Sequence, residues 1–329
     1  MPFLVKPIEH NLEAFLFVMG GLAVTASLAW DIDLLIDAAR HPLMITVAVL
    51  VAGFLTHLAR RRLNRGLQYL LTRIPLSVLA AILVAGLGVV SSMITAIIAG
   101  ILLAEFLSIL PLSRSSRINV AIAGCFAIGF GAALTPVGEP LSTIAIQKLV
   151  GEPYHADFFF LARLLGVEIM IGIAAATLLS LRLAKRELLT EENVDKDKEA
   201  EGWAAVGIRA VKVYIFVAAL TLLGAGYEII IERYLSHVPG YVLYWANISS
   251  AVLDNATLTA AEIGPALSRD QIHSVLLSLL ISGGMLIPGN IPNIIVANKL
   301  GISMKEWARL GVPVGLVAMG IGFLVVAFL

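Results

Sequence analysis

Residues 134–149 read LTPVGEPLSTIAIQKL, and residues 287–300 read IPGNIPNIIVANKL. When the two segments are aligned on their shared Lys-Leu ending, Glu139 falls on Asn290, and a glycine directly precedes each of them. Each segment interrupts a long apolar stretch with proline, glycine and a polar residue. Helices that break at matching positions in the two halves of a chain are the best sequence indicator of a transporter's binding site.

The composition places these segments in a membrane. Of the 329 residues, 59% are hydrophobic and 14% are charged, whereas soluble domains carry roughly 25% charged residues. Apolar runs of helix length recur from end to end, and the short alternating segments of a transmembrane barrel do not. We therefore predict an all-α polytopic membrane protein with the lipid bilayer as its partner. The net charge of zero gives no electrostatic reason to bind nucleic acid.

The order of apolar and charged segments predicts four parts. Residues 1–41 form an N-terminal transmembrane helix and an external loop, and residues 42–183 form a first repeat. Residues 184–207 form a charged linker, and residues 208–329 form a second repeat. Because basic residues favour the cytoplasmic side, we expect the N-terminus and the linker in the cytoplasm. The protein is expected to be a multi-pass protein of the inner (plasma) membrane.

Length and charge also predict the path of the chain within each repeat. Residues 75–111 are too long for one span, so we expect a helical hairpin there, although the sequence leaves two full spans open. A second hairpin at 241–267 that enters from the opposite side keeps most basic residues in the cytoplasm. A broken span follows each hairpin, at 118–150 and at 271–300. The halves then become inverted repeats, each with a re-entrant helical hairpin and a discontinuous transmembrane helix.

The breaks and the second hairpin carry the polar residues that could bind an ion. Proline and glycine prevent an unbroken helix at both breaks, through Pro136, Gly138, Pro140, Pro288, Gly289 and Pro292. A carboxylate at this depth is costly unless it is paired, protonated or bound to a cation. Asp254 and Glu139 are therefore the leading candidates. Hydroxyl and amide groups could complete an oxygen shell for a sodium-type cation, at Thr135, Ser250, Asn255, Thr257, Asn290 and Asn293.

Structural explanations remain open for these residues. Asp254 could cap a half-helix, and the two breaks could be proline kinks without a ligand. Glu105 and Glu262 occupy matching places nearer the hairpin ends. They are secondary candidates, because a structural role is favoured for both.

The motifs GAALTPVGEPLSTIA (131–145) and SGGMLIPGNIPNIIVANKLGIS (282–303) resemble an uncharacterised family of bacterial and archaeal cation transporters in the ion transporter superfamily. The motif SSAVLDNATLTAA (249–261) resembles the hairpin motif of NhaD-type sodium/proton antiporters. The resemblance covers residues 75–329. It implies inverted repeats, two opposed hairpins and two discontinuous helices around a midplane site, with site residues Asp254, Asn255, Glu139 and Asn290. The chain is shorter than these antiporters and carries different polar pairs at the breaks, and the superfamily also contains dicarboxylate and arsenite carriers.

The sequence predicts a secondary active transporter of a small cation, with sodium/proton antiport by alternating access at a midplane site. One alternative is a carrier of a small anion, such as a dicarboxylate or arsenite, and another is a channel or a non-transporting scaffold. The sequence contains no phosphate-binding loop, zinc-protease motif or serine-hydrolase elbow, so we do not expect an enzyme. We expect no cofactor other than a bound monovalent cation. The expected substrate is a small ion. The sequence leaves open whether the protein forms a homodimer.

Overall fold

A computed structural model describes residues 12–40, 73–185, 203–235 and 239–328, together with scattered positions between 42 and 54. The start of the predicted first repeat and most of the predicted linker at 184–207 lie outside the described residues. The described residues form helices joined by turns and contain no β-strand. The all-α prediction is therefore confirmed for the part of the chain that the structure describes.

In the first half, two neighbouring helices are followed by a broken helix and a long closing helix. The helices are α1 (Leu12–Ser27), α2 (Leu76–Ile94), α3 (Ala96–Ile109), α4 (Arg114–Ala132), α5 (Pro140–Leu149) and α6 (Phe160–Leu183). Residues 32–40 are also helical. The residues between α4 and α5 form turns and are called the first break (133–139). α2 and α3 are called the first helix pair.

The second half contains the same order of elements. They are α7 (Trp203–Leu235), α8 (Gly240–Ala246) with a 3-10 turn (Asn247–Ala251), α9 (Asn255–Glu262), α10 (Arg269–Gly283), a 3-10 turn (Ile287–Gly289), α11 (Ile291–Leu300) and α12 (Met304–Phe328). The non-helical residues between α10 and α11 are called the second break (284–290). α8, its 3-10 turn and α9 are called the second helix pair.

Among the residues that the structure describes, four helices are long and apolar enough to cross a membrane, namely α2, α4, α6 and α12. α4 lies inside the bundle, because 83% of its span is buried, whereas 22% of the α12 span is buried. The outer faces of α6 and α12 expose large aliphatic side chains, among them Val167, Ile171, Val317 and Ile321. Extended apolar surface of this kind marks contact with a membrane, so the chain is a membrane protein.

Small residues bring α2 and α4 into close contact. Gly131 lies against the backbone carbonyl of Gly88, and a Cβ atom at position 131 would overlap that oxygen. Ser91, also on α2, donates to the carbonyl oxygens of Gly88 at 2.7 Å and Ile128 at 3.1 Å. Close backbone approach at small residues is a common way for helices to pack within a bilayer. This contact fixes the position of the first break along the axis of α2.

The turn within each helix pair lies beside the break of its own half. Thr95 separates α2 from α3, and the next amide, that of Ala96, donates a 2.7 Å hydrogen bond to the carbonyl of Gly138 in the first break. In the second half, a Cβ atom at Gly289 would lie 2.8 Å from the carbonyl oxygen of Ser250. Both breaks therefore meet backbone at the turn of a helix pair.

Contacts between the halves join the last part of each broken helix to the opposite helix pair. α11 packs on α3, and α5 packs on α9. Lys299 in α11 forms a 2.8 Å ion pair with Glu105 in α3. Lys148 in α5 donates to the backbone carbonyl of Ala260 in α9. The halves are therefore interlocked, and both breaks are brought to the centre of the bundle.

Candidate functional site

The first break places Glu139 in an extended conformation at the start of α5. Pro140 is the first residue of α5, where its missing N–H costs nothing, and the residue before a proline is excluded from the helical region. Glu139 accordingly has φ −154° and ψ 161°, and its side chain makes no capping hydrogen bond. Gly138 lies against the backbone of Ala132, where a side chain would not fit. The Glu139 carboxyl therefore lies at the start of α5 but does not cap this helix.

The Glu139 carboxyl is buried and only partly hydrogen-bonded. Its side chain is 4% exposed. One oxygen, Oε2, accepts a 3.4 Å hydrogen bond from the Asn290 amide of the second break. The other, Oε1, has no hydrogen-bond partner among the described residues. Asn290 also caps α11, since its Oδ1 accepts from the Ile291 amide at 2.8 Å.

The second helix pair brings Asp254 and Asn255 to the same place. Asp254 lies between the 3-10 turn and α9 with φ 23°, in the left-handed region that is costly for most residues. The turn that precedes it contacts the second break, since a Cβ atom at Gly289 would lie 3.0 Å from the Cα atom of Ala251. Asn255 is 2% exposed, and its amide nitrogen would lie 3.4 Å from a Cβ atom at Gly283, at the end of α10. We call Glu139, Asp254, Asn255 and Asn290 the central polar junction.

Four helices begin around the central polar junction. α5, α9 and α11 begin after Glu139, Asp254 and Asn290, respectively. α3 begins after Thr95, which bonds to the amide of Ile98 as its cap and has φ 75°. The positive ends of helix dipoles favour negative charge, so this arrangement stabilises carboxylates or other anionic groups at the junction.

No basic side chain neutralises the junction in the part of the chain that the structure describes. The lysine, arginine and histidine side chains that form ion pairs there do so with other acids, and none pairs with Glu139 or Asp254. The described residues also contain no cluster of three or more histidine, cysteine or acidic side chains that could hold a metal ion. Two carboxylates with amides and backbone oxygens suit a proton or a hard monovalent cation.

The remaining predicted ligands lie around the junction but are engaged in different ways. The Thr135 hydroxyl donates to the carbonyl of Ser92 in α2. Thr257 contacts Oδ2 of Asp254 through its amide at 3.4 Å and its hydroxyl at 3.5 Å, so Asp254 does cap α9, with long bonds. The hydroxyl of Ser250 is buried without a partner among the described residues. Asn293 donates to two carbonyl oxygens of α10 and the second break, at 2.8 and 2.9 Å.

The predicted break residues occupy the turns and the helix starts. Pro136 and Gly138 lie in the first break, and Pro288 and Gly289 form part of the 3-10 turn in the second break. Pro140 and Pro292 lie in the first turns of α5 and α11. Pro292 is buried against α3, where a Cβ atom at Gly100 would lie 3.2 Å from it.

The structure does not place the two secondary candidates at the junction. Glu105 lies in the last two turns of α3 and is paired with Lys299. Glu262 is the last residue of α9. Sequence reasoning also missed Thr95, the cap of α3.

These observations define a multi-helix membrane protein with a buried acidic junction between two broken helices. The sequence model of the DUF1646 family, a protein family of unknown function, matches residues 1–329, and the chain belongs to that family. No curated protein matches the sequence. The resemblance to the ion transporter superfamily and to NhaD-type antiporters therefore stays a prediction.

Proposed function

We propose that the protein is a secondary active transporter of the inner (plasma) membrane that exchanges sodium for protons at the central polar junction. The observation that carries this proposal is that Glu139 and Asp254, both at the central polar junction, have no basic partner among the described residues. An uncompensated carboxylate inside a membrane is costly unless a proton or a cation neutralises it. A junction that alternates between these two neutralising ions performs exchange.

The antiparallel course of the two broken helices supports an inverted-repeat architecture. Arg114, at the start of α4, donates to the carbonyl of Gly301, just beyond the end of α11, at 2.7 Å. Tyr154, which follows α5, donates to the carbonyl of Leu267, just before α10. The first broken helix therefore begins where the second ends. Since Arg114 and Lys299 lie at the same end, we assign that end to the cytoplasm.

Contacts of the first helix pair support a re-entrant hairpin. α2 runs in the same direction as α4, because Ser92, near its end, accepts a hydrogen bond from Thr135 just after α4. α3 then returns, because Glu105 pairs with Lys299 near the cytoplasmic end of α11. In this proposal the turn at Thr95 lies at the depth of the first break, and the second helix pair enters from the opposite side.

The proposed cycle uses the mutual repulsion of Glu139 and Asp254. Two adjacent carboxylates hold a proton or cation more strongly than either would alone, because binding relieves their repulsion. Asn290 links Glu139 to the second break through its 3.4 Å hydrogen bond. A change in the charge of Glu139 therefore acts on both broken helices at once. Movement of the helix pairs past this contact would expose the junction to each side in turn.

Transport by purified protein in liposomes tests the proposal. With a pH gradient imposed and a pH-sensitive dye inside, addition of sodium should collapse the gradient, whereas addition of potassium serves to measure selectivity. Asp254→Asn and Glu139→Gln should reduce the rate to that of empty liposomes, because the amide cannot exchange a proton for a cation. Asp157→Asn is the matched control, since this acid is exposed and paired with Arg163 at 2.7 Å. Unchanged sodium/proton exchange in Asp254→Asn would refute the assignment of Asp254 to the exchange site.

A small-anion carrier is the second candidate, and the four helix starts around the junction favour it. Exposed amides at helix N-termini bind carboxylates and oxyanions. The two carboxylates already present oppose a second anion at the same place, because like charges repel at close range. Uptake of labelled succinate or arsenite into the same liposomes, without collapse of the pH gradient by sodium, would establish this function instead.

A further inference from the structure

Two equivalent glutamates differ in their partners. Glu105 in α3 forms a 2.8 Å ion pair with Lys299 in α11. Glu262 occupies the corresponding position in α9, and Lys148 is the lysine that corresponds to Lys299. Lys148, however, donates to the backbone carbonyl of Ala260. Both carboxyl oxygens of Glu262 are buried and have no hydrogen-bond partner among the described residues.

Uncharged polar side chains lie on the elements that pack against α9, the helix of Glu262. These elements include the 3-10 turn, which contains Asn247, and α10. Asn247 is buried in the 3-10 turn. Its nitrogen donates to the hydroxyl of Ser278 in α10 at 2.9 Å, and its oxygen Oδ1 has no partner among the described residues. Ser274 lies one helical turn before Ser278, is 3% exposed, and has a hydroxyl without a described partner. We call Glu262, Asn247, Ser274 and Ser278 the Glu262 cluster.

We propose that the Glu262 cluster is a proton-binding site, separate from the central polar junction, and that Glu262 holds the proton. The unpartnered atoms of the cluster are the two carboxyl oxygens, the amide oxygen of Asn247 and the hydroxyl of Ser274. A protonated carboxyl can donate its O–H to an amide oxygen such as that of Asn247. One proton, taken from solvent, thus removes the buried charge without a metal ion.

Among the described residues, charged and titratable groups on the surrounding helices do not neutralise Glu262. From α5, Lys148 is bonded to a backbone carbonyl. From α10, His273 pairs with Glu168 in α6 at 3.1 Å. From α8, the Tyr244 hydroxyl donates to the carbonyl of Met319 at 2.8 Å. α7 also packs on α9, and the side chains in its last part lie outside the described residues. A proton is therefore the simplest neutralising partner.

Infrared difference spectroscopy tests this inference without measuring transport, so it stands or fails separately from the proposed exchange. Purified protein in lipid at neutral pH should show the carbonyl band of a protonated carboxylic acid that Glu262→Gln removes. Glu105→Gln is the matched control, because this acid is ion-paired with Lys299. It should leave the band unchanged. Asn247→Leu should shift the band without removing it, since the acid loses its acceptor.

Three results would overturn the assignment. The first is a spectrum of Glu262→Gln with the same protonated-acid bands as the native protein, which would mean that Glu262 is ionised. The second is loss of the Glu262 band on adding sodium at fixed pH, which would make the cluster a sodium site. The third is an unshifted band in Asn247→Leu. Because that variant keeps Glu262 itself, it still tests the site if Glu262→Gln fails to fold.

Discussion

Replacement of Lys299 by methionine should destabilise the protein strongly, because it leaves Glu105 buried without its partner. The ion pair is 2.8 Å long, and both side chains are 11% exposed. It joins α11 of the second half to α3 of the first. Lys148→Met is the natural comparison, because Lys148 is exposed and bonds only to a backbone carbonyl in α9.

The size of the loss in stability is set by the buried Glu105 carboxylate, which remains without its partner. Removing one partner of a buried ion pair costs about 3–5 kcal/mol. We therefore expect Lys299→Met to lose about 3–5 kcal/mol. Lys148→Met should lower the free energy of unfolding by about 1 kcal/mol, which is the typical net contribution of one hydrogen bond.

Unfolding in mixed micelles of a mild detergent and increasing amounts of SDS, followed by circular dichroism, measures these differences. The double variant Glu105→Gln/Lys299→Met should recover most of the stability, because it removes both charges together. A Lys299→Met variant less than about 1 kcal/mol below the native protein at pH 7 would refute the reasoning. So would a double variant as unstable as the single one, because the loss would then come from packing and not from charge.

Two further predictions concern packing and the second break. Gly131→Ala should prevent the native contact of α2 with α4, because the new Cβ atom would overlap the carbonyl of Gly88, and overpacking of this kind costs at least about 1–3 kcal/mol. Gly86→Ala, on an open face of α2, should be neutral or stabilising by up to about 1 kcal/mol. Thermal unfolding in detergent compares the stabilities of the two variants. Asn293→Ala removes two hydrogen bonds to backbone carbonyls, at 2.8 and 2.9 Å. It should cost about 1–3 kcal/mol and slow exchange in liposomes, whereas native stability and rate would contradict the role given to this side chain.

The breaks could be predicted from sequence because their cause is local. Proline and glycine act on the backbone of their own segment, so the alignment of residues 134–149 with 287–300 located both non-helical stretches. The conformation of Glu139 follows from the proline after it in the same way. Local chemistry of this kind needs no knowledge of the rest of the fold.

The contacts between halves could not be predicted, because they depend on how distant helices pack. Glu105 and Lys299 were each matched with a residue of the other half, but nothing in the sequence showed that they pair with each other. Thr95 was missed for a different reason. A β-branched residue at φ 75° is rare, so its type gives no signal for a turn, and only the surrounding structure holds it there.

The distribution of basic partners divides the acids that the structure describes into two groups. Acids with a basic partner lie at interfaces between helices or in a loop, among them Glu13, Glu105, Asp157, Glu168 and Glu306. Glu139, Asp254 and Glu262 have no basic partner among the described residues. The amide side chains of glutamine or asparagine would fill the same space without the cost of a buried charge. In the function proposed above, a proton or a small cation supplies the missing charge at these places.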